Sequence, residues 1–283
     1  MLDEIVRIAE SAGHEILKIY RSNDWQVSAK SDDSPVTRAD LAANEIIVRE
    51  LHRLSSDPVI SEEDSPLGSD VVLEAGESLQ DQAGPSLNGE RGTVKKGRRF
   101  WLVDPLDGTR DFLARLDTFV VSIALVQDGF PVLGVLHAPV TGETWRAEVG
   151  RGAHGPLGQR LQIRSEVDRP LVAVASRSMA SERMHLLYQQ FGIGEVQRVG
   201  SALKFCRLAE GKVDVYPRFG PMREWDTAAG QILVEEAGGK VIELASGKRL
   251  EYGKPGFEHR GGFVASRSDL DIVKRLREIG VIQ

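Results

Sequence analysis

The sequence has a single cysteine, Cys206. No intrachain disulfide can form, and cysteine-based zinc sites and CxxC redox motifs are excluded. It also lacks positive charge: 36 Lys and Arg stand against 42 Asp and Glu, for a formal charge of −6. That balance disfavours a nucleic-acid polymer as partner, because such binding rests on a basic footprint. Long apolar runs are missing too. The longest lies near residues 119–126 and is broken by Ser122, far short of the roughly 20 residues of a membrane span. The opening Met1-Leu2-Asp3-Glu4 has acids where a signal peptide needs bases. A cytoplasmic protein without a transmembrane segment is the expectation.

What is present is a chain of 283 residues, 41% hydrophobic and 28% charged, enough for a substantial core. Ile5, Ile8, Ala9, Ala12, Ile16 and Ile19 recur with helical spacing and predict an amphipathic helix over residues 2–20. A second helix is expected from Thr37, with Thr37 as N-cap, Asp40 three residues on, and Val36 and Leu41 as a hydrophobic staple. Its apolar face continues through Ile47, Leu51 and Leu54. Strands are expected at Pro58–Ile60, Phe100–Val103, Phe119–Val126, Val132–Leu136 and Glu143–Val149. Asp128-Gly129 is the turn of a hairpin. Beyond residue 160 strands and helices alternate, ending in a helix near residues 268–279. Residues 65–99 contain six glycines and no aromatic residue. They read as an exposed insertion of loop character. The chain divides into an N-terminal α+β part, 1–160, and a C-terminal α/β part, 161–283, with the site between them.

The densest chemistry is Asp104-Pro105-Leu106-Asp107-Gly108-Thr109, directly after a buried strand. The dipeptides D-P and D-G alone usually mark turns. Here they place two carboxylates three residues apart at a fixed strand end, the donor type a hard cation such as Mg²⁺ requires. Glu62-Glu63 follows another short strand, and Asp226 follows Trp225 at a helix start. Each of these acids, and Asp40, has an ordinary reading as a loop or cap residue. Glu62, Asp104, Asp107, Asp226 and Asp40 nonetheless come from four separated segments, each at the end of a strand or the start of a helix. Convergence of such ends builds a metal site.

The blocks W-L-V-D-P-L-D-G-T, P-V-I-S-E-E-D and W-D-T-A-A-G resemble the inositol monophosphatase superfamily of Mg²⁺-dependent, lithium-sensitive phosphatases. Residues 30–40 (K-S-D-D-S-P-V-T-R-A-D), D-G-T-R-D-F-L, and G-S-A-L-K-F-C-R-L-A-E-G with Y-P-R-F-G-P are similar to its CysQ-type branch, the 3'(2'),5'-bisphosphate nucleotidases. The resemblance implies a layered α/β (α+β) sandwich in an αβαβα arrangement. It implies that Glu62, Asp104, Asp107, Asp226 and the carbonyl of Leu106 hold two or three Mg²⁺ ions, and that Thr109 and Asp40 orient the attacking water. It further implies that Gly108, Thr109, Ser201, Lys204, Arg218 and Asp226 contact a small bisphosphorylated nucleotide. Lys30 lies in a branch-typical segment, and Glu63 adjoins a ligand. The implied reaction removes the 3'-phosphate of 3'-phosphoadenosine 5'-phosphate. Inositol phosphates or fructose 1,6-bisphosphate are the rival substrates, and a non-catalytic regulator is a third reading. Met179 stands where the branch commonly has a histidine. Cys206 reads as core rather than nucleophile.

Overall fold

The computed structural model describes residues 1–22, 24–30, 34–64, 99–163, 170–177 and 181–282. Met179 and all of the 65–99 insertion except Arg99 lie outside the described residues.

Helix α1 spans Leu2–Ser22 and buries Ile5, Ile8, Ala9, Ala12, Ile16 and Ile19, the stripe its periodicity predicts. A short antiparallel pair follows, β1 (Ser28–Ala29) and β2 (Pro35–Val36). Helix α2 (Arg38–Leu54) starts at a capping box in which Thr37 and Asp40 satisfy each other's backbone N–H groups. The expected staple is absent: Leu41 is 53% exposed. The small Ala39 and Ala43 take the buried face with Ile47 and Leu51 instead, which lets the helix approach the sheet closely.

Six strands form the first sheet in the order β3-β4-β5-β6-β7-β8. They are β3 (Val59–Ser61), β4 (Arg99–Asp107), β5 (Val120–Gln127), β6 (Phe130–Ala138), β7 (Glu143–Glu148) and β8 (Gly152–His154). A one-turn helix α3 (Thr109–Leu113) lies between β4 and β5. The β5–β6 turn has positive φ at both Asp128 and Gly129, as a two-residue primed turn requires. The second sheet has the order β10-β9-β11-β15-β13. Its strands are β9 (Leu171–Ala175), β10 (Ile193–Arg198), β11 (Val215–Arg218), β13 (Gly239–Glu243) and β15 (Phe263–Arg267). Met222–Arg223 (β12) and Glu258–His259 (β14) pair separately. The remaining helices are α4 (Glu182–Gln190), α5 (Leu203–Ala209), α6 (Ala228–Glu236) and α7 (Ile272–Glu278).

These elements stack in five layers. One face of the first sheet, with Trp101, Val103, Val121 and Ile123, packs on α1 and α2. Its other face, with Phe100, Leu102 and Ala124, joins Phe205 of α5 and Ile232 of α6 in a core that continues to Val174, Tyr216 and Phe263 of the second sheet. The far face of the second sheet, Ala173, Val215 and Val264, packs on Leu187 of α4 and Ile272 and Leu276 of α7. The order is therefore α, β, α, β, α, as the motifs imply. Close approach of α6 to the first sheet needs Gly134 on β6, where a Cβ would fall 2.6 Å from Ile232 Cγ2 and 2.8 Å from Ala229 Cα.

Candidate active site

The strand end that carries the hexapeptide is shaped by a bulge. Asp104 pairs with Ser122 and Asp107 with Val120, so the register shifts across Pro105-Leu106. The Leu106 N–H turns back to donate to Asp104 Oδ1 at 3.0 Å. Gly108 then adopts φ +105°, a conformation that side-chain-bearing residues rarely tolerate, and starts α3. These local constraints put Asp104, Asp107 and Thr109 at one edge of the sheet.

The other acids arrive from separate elements. The Glu62 N–H donates to the Val103 carbonyl at 3.1 Å, which locks the end of β3 alongside β4. Ser122 Oγ donates to the Trp225 carbonyl at 3.1 Å and so holds the turn that presents Asp226. As a result Glu62, Asp104 and Asp226 each offer a carboxylate oxygen, all within 4.8 Å of one another. Asp107 lies beside this group. Its Oδ2 accepts the Ala202 N–H at 2.5 Å.

The electrostatics are those of an anionic pocket. Burial, then repulsion from Glu62, Asp107 and Asp226, raises Asp104 well above the ordinary carboxylate range. Asp226 is raised for the same reasons, burial first. Burial takes Asp107 to about 6, although Lys204 and the Ala202 N–H pull the other way. Divalent cations are the natural relief for such a cluster. One cationic group is already drawn in: Lys30 Nζ sits 2.6 Å from Glu62 Oε1 and 2.8 Å from Glu63 Oε1. Burial lowers the lysine's affinity for its proton, but the two glutamates outweigh it and the ammonium is held above its usual range. An all-carboxylate donor set that captures a lysine ammonium fits hard divalent ions.

Thr109 and Asp40 are brought together as expected. Thr109 Oγ1 donates to Asp40 Oδ1 at 3.1 Å and lies 3.4 Å from the Leu106 carbonyl. The other oxygen of Asp40 accepts the Thr37 N–H at 2.8 Å and the Thr37 hydroxyl at 2.6 Å. Asp40 thus serves as both capping residue and site residue. Burial raises its proton affinity, opposed by these hydrogen bonds.

The G-S-A-L-K turn docks on the hexapeptide through the Ala202–Asp107 bond. Ser201 has φ +47°, and its Cβ packs under Gly108, where an added Cβ would approach it to 3.5 Å. Lys204 is only 3% exposed. Its ammonium donates to the Ser201 carbonyl and lies 5.4 Å from the centre of the Tyr216 ring. Burial lowers Lys204 to about 8, and Arg218 pushes in the same direction. Arg218 donates to the Pro221 carbonyl at 3.0 Å. Cys206 is buried in the core, as expected. Sequence reasoning did not single out Ser122, Asp111 or Arg177. Ser122 carries a weak signal, a polar residue interrupting an apolar strand.

Comparisons with known proteins bear on the family and the fold. The model of the inositol monophosphatase family matches residues 1–279. The 3'(2'),5'-bisphosphate nucleotidase CysQ of Escherichia coli K12 is 40% identical over 254 residues, covering 89% of this chain and 94% of that protein. The crystal structure of CysQ from Bacteroides thetaiotaomicron superposes with a TM-score of 0.74 at 32% identity, over 95% of this chain and 97% of that one. A Thermotoga maritima IMPase superposes with a TM-score of 0.72 at 26% identity, over 99% and 97%.

Proposed function

The chain belongs to the inositol monophosphatase family, and on that footing we propose that it is a 3'(2'),5'-bisphosphate nucleotidase. It removes the 3'-phosphate of 3'-phosphoadenosine 5'-phosphate and leaves AMP and inorganic phosphate. The observation that carries the reading is the direct bond between the two motifs: the Ala202 N–H of the nucleotide-branch turn donates to Asp107 of the metal loop at 2.5 Å. A substrate held at that turn therefore presents its phosphate to the acidic pocket.

We assign Glu62, Asp104, Asp107, Asp226 and the Leu106 carbonyl as the groups that hold two or three Mg²⁺ ions. When bound, such ions neutralise phosphoryl charge and lower the pKa of a water. The protein's own groups do the rest. Thr109 Oγ1 gives its hydrogen to Asp40, so its lone pairs face the site and can accept a hydrogen from the attacking water. As that water is deprotonated, the Thr109 proton moves to Asp40 Oδ1, whose buried carboxylate is a stronger base than an exposed one. Gly108 lets the backbone approach the phosphate. Arg218 lies close enough to Lys204 to lower its proton affinity, a like-charge approach that a second phosphate would relieve, and Ser201 lies between Lys204 and Gly108 of the metal loop. Arginine is suited to bidentate phosphate contact.

We further propose that the two sheets mark two parts of the chain that share this site. A cytoplasmic location completes the reading, and subcellular fractionation checks it. Among the described residues, no helix is long and apolar enough to cross a membrane.

A substrate panel with Mg²⁺ tests the proposal. Phosphate release from the bisphosphorylated nucleotide should exceed that from inositol 1-phosphate and fructose 1,6-bisphosphate. Release from inositol 1-phosphate alone would overturn the branch assignment and leave the family mechanism standing.

A further inference from the structure

Beside the acidic pocket lies a second polar cluster that the mechanism does not use. Asp111 sits on α3, four residues after Asp107 at the end of β4. Arg177 follows the end of β9, on the other sheet. Arg177 Nη1 is 2.7 Å from Asp111 Oδ1, and its Nη2 donates to Thr118 Oγ1 at 2.9 Å. Thr118 Oγ1 in turn donates to Asp111 Oδ2 at 2.8 Å. The three side chains close a ring of charge-assisted bonds. Arg177 is 35% exposed and Asp111 18%. An isolated ion pair with that exposure contributes little, but a closed network with fixed geometry contributes more.

The ring is built over one residue. A Cβ on Gly200 would fall 1.8 Å from Asp111 Oδ2 and 3.0 Å from Thr118 Oγ1. The glycine is therefore required for space, so that the Asp111 carboxylate can lie on the backbone of the turn. That same turn begins where Val199 N–H donates to the Ala175 carbonyl at the end of β9, two residues before Arg177. It continues into Ser201, whose positive φ is uncommon for a residue with a side chain. Such a conformation persists where the surroundings hold it. Here it is held by the Lys204 ammonium on its carbonyl and by Asp107 on the Ala202 N–H, and the Asp111 carboxylate packs against Gly200 on the other side.

We infer that Asp111 and Arg177 are positioning residues that clamp the Gly200–Ser201 turn onto α3 and thereby set affinity for the nucleotide. The inference rests on the nucleotidase reading for the identity of the ligand. The bonds of the clamp run only among Asp111, Arg177 and Thr118, and Asp111 reaches Asp107 through its charge alone, so loss of the clamp acts on binding more than on chemistry.

The test uses Asp111→Asn, Arg177→Met, the double variant, and Gly200→Ala in the wild-type and Asp111→Ala backgrounds. The readouts are kcat and KM for 3'-phosphoadenosine 5'-phosphate, calorimetric Kd for AMP with Mg²⁺, and the melting temperature. Each single variant should raise KM and Kd roughly tenfold, the scale of losing one charge-assisted bond, with kcat within about twofold of wild type. The double variant should be no worse than the weaker single one, because both remove the same clamp. Gly200→Ala should cost less affinity when Asp111 is already alanine. Unchanged KM and Kd, or losses that multiply in the double variant, would overturn the clamp. So would a fall in kcat that tracks the melting temperature. If the wild-type chain releases no phosphate from the nucleotide yet binds AMP, the nucleotidase reading falls, and the AMP affinities still decide the clamp. If it binds no AMP, both fall.

Discussion

Asp214, Glu224 and Asp104 are buried in this chain and Asp226 is half-buried, yet the first two have surroundings opposite to those of the last two. Asp214 accepts the Val172 N–H at 2.7 Å and pairs with Arg267 at 3.2 Å. Glu224 accepts the N–H groups of Gly253 and Lys254 at 2.7 and 2.9 Å. These acids are matched with donors and tie loops to the core. Asp104 and Asp226 instead face each other and Glu62. Burial alone does not mark a functional acid. A buried acid whose nearest neighbours are other acids does, because that arrangement holds only if something outside the chain completes it.

The largest expected effect separates the two sets. Asp104→Ala should lower kcat by about a thousandfold or more, the scale of losing a principal source of transition-state charge stabilisation. In chelator its melting temperature should stay level or rise, since the change removes like-charge repulsion. Asp214→Ala should do the reverse. It removes the acceptor of the Val172 N–H and one of the two carboxylates paired with the buried Arg267, Asp269 remaining as the other, and should destabilise the fold by about 1–3 kcal/mol in denaturant titration, while the folded fraction keeps its turnover. Had Asp104→Ala unfolded the protein, the distinction would be lost.

Thr109→Val comes next. It keeps shape and removes the hydroxyl, so kcat should fall by about a hundredfold while Mg²⁺ affinity is retained. Equal losses in kcat and in Mg²⁺ affinity would place Thr109 in the metal shell instead.

The smallest effect is in pH. In the folded chain without metal, Asp104 and Asp226 are raised by burial and mutual repulsion, and Asp107 reaches about 6. The folded state then holds protons that the unfolded state releases near the ordinary value of 3.8. Their contribution to stability is present at low pH and is lost as pH rises through about 6. Burial lowers His137 to about 4 and His259 to about 3, which acts in the opposite direction. The readout is therefore the difference in melting temperature between Mg²⁺ and chelator. It should widen from pH 4 to 7 as protons cease to compete with the ions. A difference that narrows with pH would contradict a carboxylate metal site.

The same contrast explains what the sequence could reveal. The resemblance of the motifs implied the five layers, and the first helix, the hairpin and the meeting of Glu62, Asp104 and Asp226 were legible because strong local signals carry them: the stripe of α1, the Asp128-Gly129 turn, and a hexapeptide whose proline and glycine force a bulge and a left-handed residue. Strands β13 and β15 escaped. Each is five residues long, and short runs such as Phe263-Val264-Ala265 are fixed by pairing with distant strands rather than by their own pattern. Leu41 was misplaced because a staple depends on how the preceding chain enters the helix. Asp111, Arg177 and Gly200 lie far apart in sequence and are ordinary residues there. Only the meeting of the two sheets gives them a common role.

The most direct test of the central claim is to identify the product of the wild-type chain acting on 3'-phosphoadenosine 5'-phosphate with Mg²⁺, by chromatography against standards. AMP and inorganic phosphate should form in equal amounts, and chelator should stop the reaction. Formation of adenosine 3'-phosphate, or undiminished turnover in chelator, would contradict the account.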